Sequence, residues 1–144
     1  MARIADVMSL RVLTVTPDET VQLAIARMLE ENVGSVAVCE GNHLVGIFTE
    51  RDVLRLAGEN SELQALKIGD VMTRRVLTVS PDDDILAAGV LMADRRIRHL
   101  PVVQDGQVMG IVGLRDVTRS LLELVWRDHD GAARETARQL LKRT

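Results

Sequence analysis

Gly46-Ile47-Phe48-Thr49-Glu50-Arg51-Asp52 returns sixty-four residues later as Gly110-Ile111-Val112-Gly113-Leu114-Arg115-Asp116. The match extends outward from these seven positions. Asp6-Val7-Met8 returns as Asp70-Val71-Met72, and Arg11-Val12-Leu13-Thr14-Val15-Thr16-Pro17-Asp18 returns as Arg75-Val76-Leu77-Thr78-Val79-Ser80-Pro81-Asp82. The register holds without a gap when 6–55 is laid on 70–119. A fixed internal period marks a supersecondary unit that buries its core against its neighbour. The chain is therefore a duplicated module, and a site is expected where the two copies meet.

Within the first copy, residues 12–15 are short and β-rich and stop at Thr16-Pro17, where proline suits a strand end or a first helical turn. Asp18, Glu19 and Thr20 then favour a helix start, and Val21, Ala24, Ile25, Met28 and Leu29 form an apolar stripe at helical spacing. Asn32 to Gly34 closes that helix. Residues 36–39 and 44–48 read as two strands turning at Glu40-Gly41-Asn42-His43, and Thr49 caps a second helix that ends near Gly58. The second copy repeats the plan. It has a strand at 76–79, a helix with Ile85, Ala88, Met92 and Ala93, a hairpin of 100–103 and 108–112 turning at Asp105-Gly106, and a longer helix from near Leu114 through Trp126. Each copy is thus β-α-β-β-α, an α+β class. The expected organisation is a first repeat at 2–58, a polar linker at 59–69, a second repeat at 70–125 and a C-terminal helical tail at 126–144. In the tail, Arg134, Arg138 and Lys142 recur every four residues, either as a solvated face or as a docking surface for another subunit or an acidic partner.

Composition narrows the function. With 144 residues the chain suits one compact unit, and with one Phe, one Trp and no Tyr its core must be aliphatic. It lacks the aromatic platforms on which single-stranded nucleic acid stacks, and its net charge of −3 is no footprint for a polyanion. Cys39, alone in an apolar run, is expected to be a buried small hydrophobe in a reducing setting. The N-terminus is mixed and polar, without the apolar h-region of a signal peptide, and no apolar run approaches the ~18 residues of a membrane span, so a soluble, cytoplasmic protein is expected. His43 and His129 have no partner at metal-ligand spacing. No nucleophile–base pair, dinucleotide fingerprint or P-loop is present, which argues against an enzyme.

Taken together, the ordered set resembles a tandem pair of cystathionine-β-synthase-type (CBS) domains, a Bateman module, over about residues 2 to 125. It comprises the Asp-Val-Met starts, the Leu-Thr-Val-(Thr/Ser)-Pro turns, Arg98-His99-Leu100-Pro101-Val102-Val103 and the two glycine-to-aspartate repeats. The resemblance implies two sheets and four helices in a pseudo-twofold pair with two clefts, and commonly a homodimer. It further implies that an adenosine compound (AMP, ADP, ATP or S-adenosylmethionine) binds as a regulatory ligand acting on another protein, with no cofactor required. In the family the aspartate ending Gly-hydrophobic-x-(Thr/Ser)-x-x-Asp holds the ribose hydroxyls, and the hydroxyl three residues earlier assists. Carried over, these are Asp52 and Thr49, with Asp116 alone in the second copy because Gly113 replaces the hydroxyl. Thr49-x-x-Asp52 is equally a capping box.

By the same analogy Asp52 would face Ile97-Arg98-His99, whose cation and titratable donor suit a phosphate. Asp116 would face Val33-Gly34-Ser35, which has no cation. Met72 and Met8 would enclose adenine in the respective clefts, or serve as ordinary core. Arg98 could instead pair with Asp94. On this reading the site of Thr49, Asp52, Met72, Ile97, Arg98 and His99 is the tighter one, and that of Met8, Val33, Gly34, Ser35 and Asp116 the weaker. The alternative function is a ligand-independent dimerisation or interaction module.

Overall fold

Positive φ angles close both hairpins where the sequence places them: 62° at Gly41, and 53° and 77° at Asp105 and Gly106. Such angles turn a strand back with the twist its partner needs. The structure, a computed structural model, describes residues 2–128 and 131–143, with the backbone alone at 126–128. In the first copy, β1 (Thr14–Val15) leads to α1 (Val21–Glu31), β2 (Ser35–Glu40), β3 (His43–Thr49) and α2 (Glu50–Gly58). In the second, α3 (Ile85–Arg95) is followed by β4 (His99–Gln104), β5 (Gln107–Gly113) and α4 (Leu114–Asp128). A tail helix, α5 (Ala132–Leu141), comes last, and every residue of it is exposed.

Thr20 caps α1 by accepting from the amide of Leu23, and Asp84 caps α3 by accepting from Leu86. Both helices end on a left-handed residue at the same repeat position, Asn32 and Arg96. The strands run β1-β2-β3-β5-β4. The central β3–β5 step rests on the single pair His43 and Gln107, so the two sheets expected from the resemblance touch only at their hairpin tips.

The expected strand at 76–79 shrinks to one parallel bridge, Val79 with Val102. The cause is local. In the first copy the amide of Ala37 donates to the carbonyl of Leu13 at 2.9 Å. Its counterpart, Pro101, has no amide hydrogen, so the matching bond to Leu77 cannot form.

Two short turns that the repeat pattern did not reveal tie the halves together. Ile4–Val7 packs fully buried Ile4 into the core of the second copy, beside Val79, Ile85, Met92 and Leu100. Its sequence counterpart Ile68–Val71 packs Ile68 into the core of the first copy, beside Val15, Val21, Val36 and Phe48. The exchange is reciprocal in hydrogen bonds too. Ile4 donates to Asp83 at 2.8 Å, and Ile68 to Glu19 at 2.9 Å. The stretch read as a polar connector also lays Leu63 and Leu66 on the first core.

Each chain segment then crosses between halves. Ser9 exchanges both amide hydrogen bonds with Ile111, at 2.8 and 3.0 Å, and Thr73 does the same with Ile47. These crossings pass over glycines of the repeated stretch. A Cβ on Gly110 would lie 2.7 Å from the Ser9 carbonyl oxygen, and one on Gly46 would strike the Met72 sulfur. Glycine at these two positions is what lets the backbones approach.

Candidate functional site

Asp52 and Asp116 occupy the same place in both copies, the third residue of a helix that follows a strand, where a carboxylate can accept from the free amide at the helix entry. Asp116 Oδ2 accepts from the Gly113 amide at 2.9 Å. Asp52 Oδ2 accepts from the Thr49 amide at 2.9 Å and from its hydroxyl at 3.2 Å. The capping role is therefore present in both copies. The two carboxylates differ in what remains free. Asp52 Oδ1 faces Arg55 Nη2 at 3.5 Å, and that guanidinium also reaches the Val71 carbonyl at 3.5 Å. Asp116 has no second hydrogen-bond partner among the described residues.

A cleft of about 1170 Å³ opens beside Asp116. The end of α1 and the following turn (Met28, Leu29, Asn32, Val33, Gly34, Ser35) form one wall, with Glu50 and Val53 of α2. The start of α4 forms the other, with Leu114, Arg115, Asp116, Thr118, Arg119 and Leu122. The crossing segment contributes Ser9, Arg11 and Leu13, and Arg98 and His99 complete the lining.

This placement corrects the expected division of residues. Arg98 and His99 line the cleft of Asp116, which is far from lacking a cation. Val33, Gly34, Ser35 and Asp116 do come together there. Thr49, Asp52, Met72, Ile97 and Met8 do not line it. Met72 is a buried member of the first core, while Ile97 and Met8 pack against the second. The pairing of Arg98 with Asp94 is also replaced: α3 ends at Arg95, and Arg98 Nη1 lies 4.0 Å from Glu50 Oε1 instead.

Sequence reasoning missed Arg11, Arg115 and Arg119. Arg115 and Arg119 stand one turn apart on α4 with Asp116 between them in sequence. Arg11 is committed to Glu31 at 2.6 Å, but neither Arg115 nor Arg119 has a carboxylate within 4.0 Å among the described residues. Like charges at i and i+4 repel, and that unpaired spacing beside a repeated aspartate was the available signal.

Arg98 and His99 reach Asp116 through the β4–β5 pairing, in which His99 stands opposite Gly113. His99 stands at the repeat position of Ser35, and Arg98 at that of Gly34. A Cβ on Gly34 would lie 3.1 Å from His99 Cε1 and 3.2 Å from Glu50 Oε1, so the missing side chain leaves room for the imidazole. Burial lowers the His99 imidazole from its ordinary value; Glu50 opposes this, Arg98 adds to it, and Asp116 opposes it. The ring is thus poised as a neutral donor–acceptor at neutral pH, able to gain charge beside an anion.

His43 lies on the first hairpin against Gly106, and His129 falls outside the described residues. Cys39 is buried, which raises its thiol pKa. None of the described helices is long and apolar enough to cross a membrane.

The CBS domain profile matches this chain twice, at 4–59 and 68–123. A CBS domain-containing protein from Arabidopsis thaliana, CBSX3, is 40% identical over 113 residues, which are 74% of this chain and 55% of the relative. YhcV of Bacillus subtilis is 35% identical over 118 residues, 81% of this chain and 84% of the relative. The chain therefore spans little more than half the length of the plant protein.

Among solved structures, a chain with CBS domains from Burkholderia ambifaria superposes with a TM-score of 0.80 at 29% identity, covering 85% of this chain and 95% of that one. CBSX2 in complex with AMP gives 0.75 at 30% identity, covering 85% and 97%. The CBS pair of MJ0100, in complex with 5′-methylthioadenosine and S-adenosylmethionine, gives 0.77 at 25%, covering 83% and 95%. With a match in each repeat and the same fold in these structures, the chain belongs to the CBS domain family.

Proposed function

We propose that this CBS pair is a regulatory module, without catalysis of its own, that binds an adenosine compound in the cleft of Asp116 and passes the binding state to another protein. One observation carries the reading. A carboxylate with an uncommitted oxygen shares a cleft between the two copies with Arg98, His99, Arg115 and Arg119. A carboxylate can accept from both hydroxyls of a ribose, and guanidinium groups take phosphate in forked, charge-assisted hydrogen bonds. The adenosine ligands of CBSX2 and MJ0100 support the choice of ligand class. Asp52, already held by Thr49 and Arg55, is the weaker site on this reading.

Ligand-independent association draws on a different observation, the exposure of Leu23, Leu29, Leu86 and Val90 on α1 and α3. A thermal-shift panel of AMP, ADP, ATP, NAD and S-adenosylmethionine separates the two. A ligand that binds only the native state stabilises it by about 2.7 kcal/mol at a hundredfold excess over Kd, a rise of several degrees. If no compound at millimolar concentration moves the melting temperature, the sensor reading falls and the association module takes its place.

A further inference from the structure

We propose that Glu50 sets the charge of the ligand, restricting the cleft of Asp116 to a nucleoside monophosphate in preference to a triphosphate. The inference rests on the proposed adenosine site and adds to it the residue that selects within that class.

Four arginines line the cleft, which at first suggests a polyphosphate. Their partners reduce that number. Arg11 is held by Glu31 at 2.6 Å. Arg98 is met by Glu50, whose Oε1 lies 4.0 Å from Nη1. Arg115 and Arg119 remain, two cations without a carboxylate within ion-pair distance among the described residues. Asp116 offsets one of these, and a single phosphate carries close to two negative charges at neutral pH, so a monophosphate already uses up the cationic charge left in the cleft. Each further phosphate would add negative charge where Glu50 already offsets the remaining cation, Arg98.

Glu50 is placed to exert this effect. Its amide donates to the Gly34 carbonyl at 3.0 Å, which fixes the start of α2 against the turn that follows α1, within one wall of the cleft. The carboxylate stands 3.2 Å from where a Cβ on Gly34 would be, beside the His99 ring. The repeat makes the position informative. Its counterpart in the second copy is Leu114, so the carboxylate is present on one side of the seam alone. Coulomb energy between unit charges persists over such distances and is screened by salt.

The test is titration calorimetry of AMP and ATP at one low ionic strength, on the wild type and Glu50→Gln. The wild type should bind AMP more tightly than ATP. Removing the carboxylate frees Arg98, and the ratio of ATP to AMP dissociation constants should fall roughly three- to fivefold, the scale of an exposed ion pair. Adding Arg98→Met to the Glu50→Gln chain should restore the ratio. A ratio of affinities is insensitive to partial unfolding, and Glu50→Ala gives the same readout should the Gln variant melt early.

If the wild type binds AMP but Glu50→Gln leaves the ratio within twofold, Glu50 is no selector, and the adenosine site stands without it. A wild type that prefers ATP overturns the inference in the same way. Should no adenosine compound bind the wild type, the site itself is lost and the inference with it.

Discussion

Replacing Asp116 by Asn and by Ala separates its two roles. The Asn side chain keeps an oxygen that can accept from the Gly113 amide, the 2.9 Å bond that caps α4, but loses the charge. The Ala side chain loses both. A helix cap contributes about 0.5–2 kcal/mol, so Asp116→Ala should lower stability by that amount and Asp116→Asn by less. Binding should respond differently. A hydrogen bond to a charged group contributes about 1.5–3 kcal/mol, and about 1.4 kcal/mol is a factor of ten in affinity. Both variants should therefore weaken AMP by roughly ten- to a hundredfold.

Asp52→Asn is the control. Asp52 meets Thr49 and Arg55 rather than the cleft, so its loss should change the tighter binding event less than about threefold while costing stability. Calorimetric titration with AMP and urea unfolding of the same samples give both readouts. The reasoning is refuted if Asp52→Asn abolishes tight binding while Asp116→Asn retains it. Arg98 and His99 would then serve the first copy after all.

Gly110→Ala should destabilise by roughly 1–3 kcal/mol in urea unfolding, since its Cβ would sit 2.7 Å from a backbone oxygen of the crossing segment, and overpacking of this kind costs about that much. His99 gives a pH dependence whose sign follows from its lowered folded value. The unfolded chain holds the imidazole proton at a pH where the folded chain has released it, so stability is full above the ordinary histidine range and falls as pH drops through it. The melting temperature should thus decline from pH 7 to pH 5 more steeply in the wild type than in His99→Gln; equal slopes would remove His99 from the account. A homodimer should give about twice 15.9 kDa by light scattering at low micromolar concentration. Leu23→Glu with Leu86→Glu should return it to a monomer, because these exposed leucines, and not buried Val21, Ile85 and Met92, are available to a partner.

The repeat and the local chemistry of its residues determined the elements of this protein. Short apolar, β-rich runs on either side of Gly41 and of Asp105-Gly106 specify hairpins, because only a few residue types accept the positive φ that those turns need. Helix spacing placed Val21, Met28, Ile85 and Met92 on one face. That periodicity names an apolar side and not what covers it, and all four prove to be buried in the core of their own copy.

Tertiary structure alone decided the rest. Ile4 falls in the expected first repeat and Ile68 in the expected linker, yet Ile4 packs in the core of the second copy and Ile68 in that of the first, since a buried isoleucine is equally well satisfied by either aliphatic core. Arg98 and His99 lie beside Asp116 because β4 pairs with β5 in their own copy, His99 opposite Gly113, and the Arg98 carbonyl accepts from the Leu114 amide. The fit of the imidazole against the first copy is what the packing of the two units decides. It depends also on the room beside Gly34, which no residue near 98 encodes. Charge pairing between distant segments, Arg11 with Glu31 and Arg98 with Glu50, then fixes which cations remain for a ligand, because Coulomb attraction acts between neighbours in space, whatever their distance along the chain.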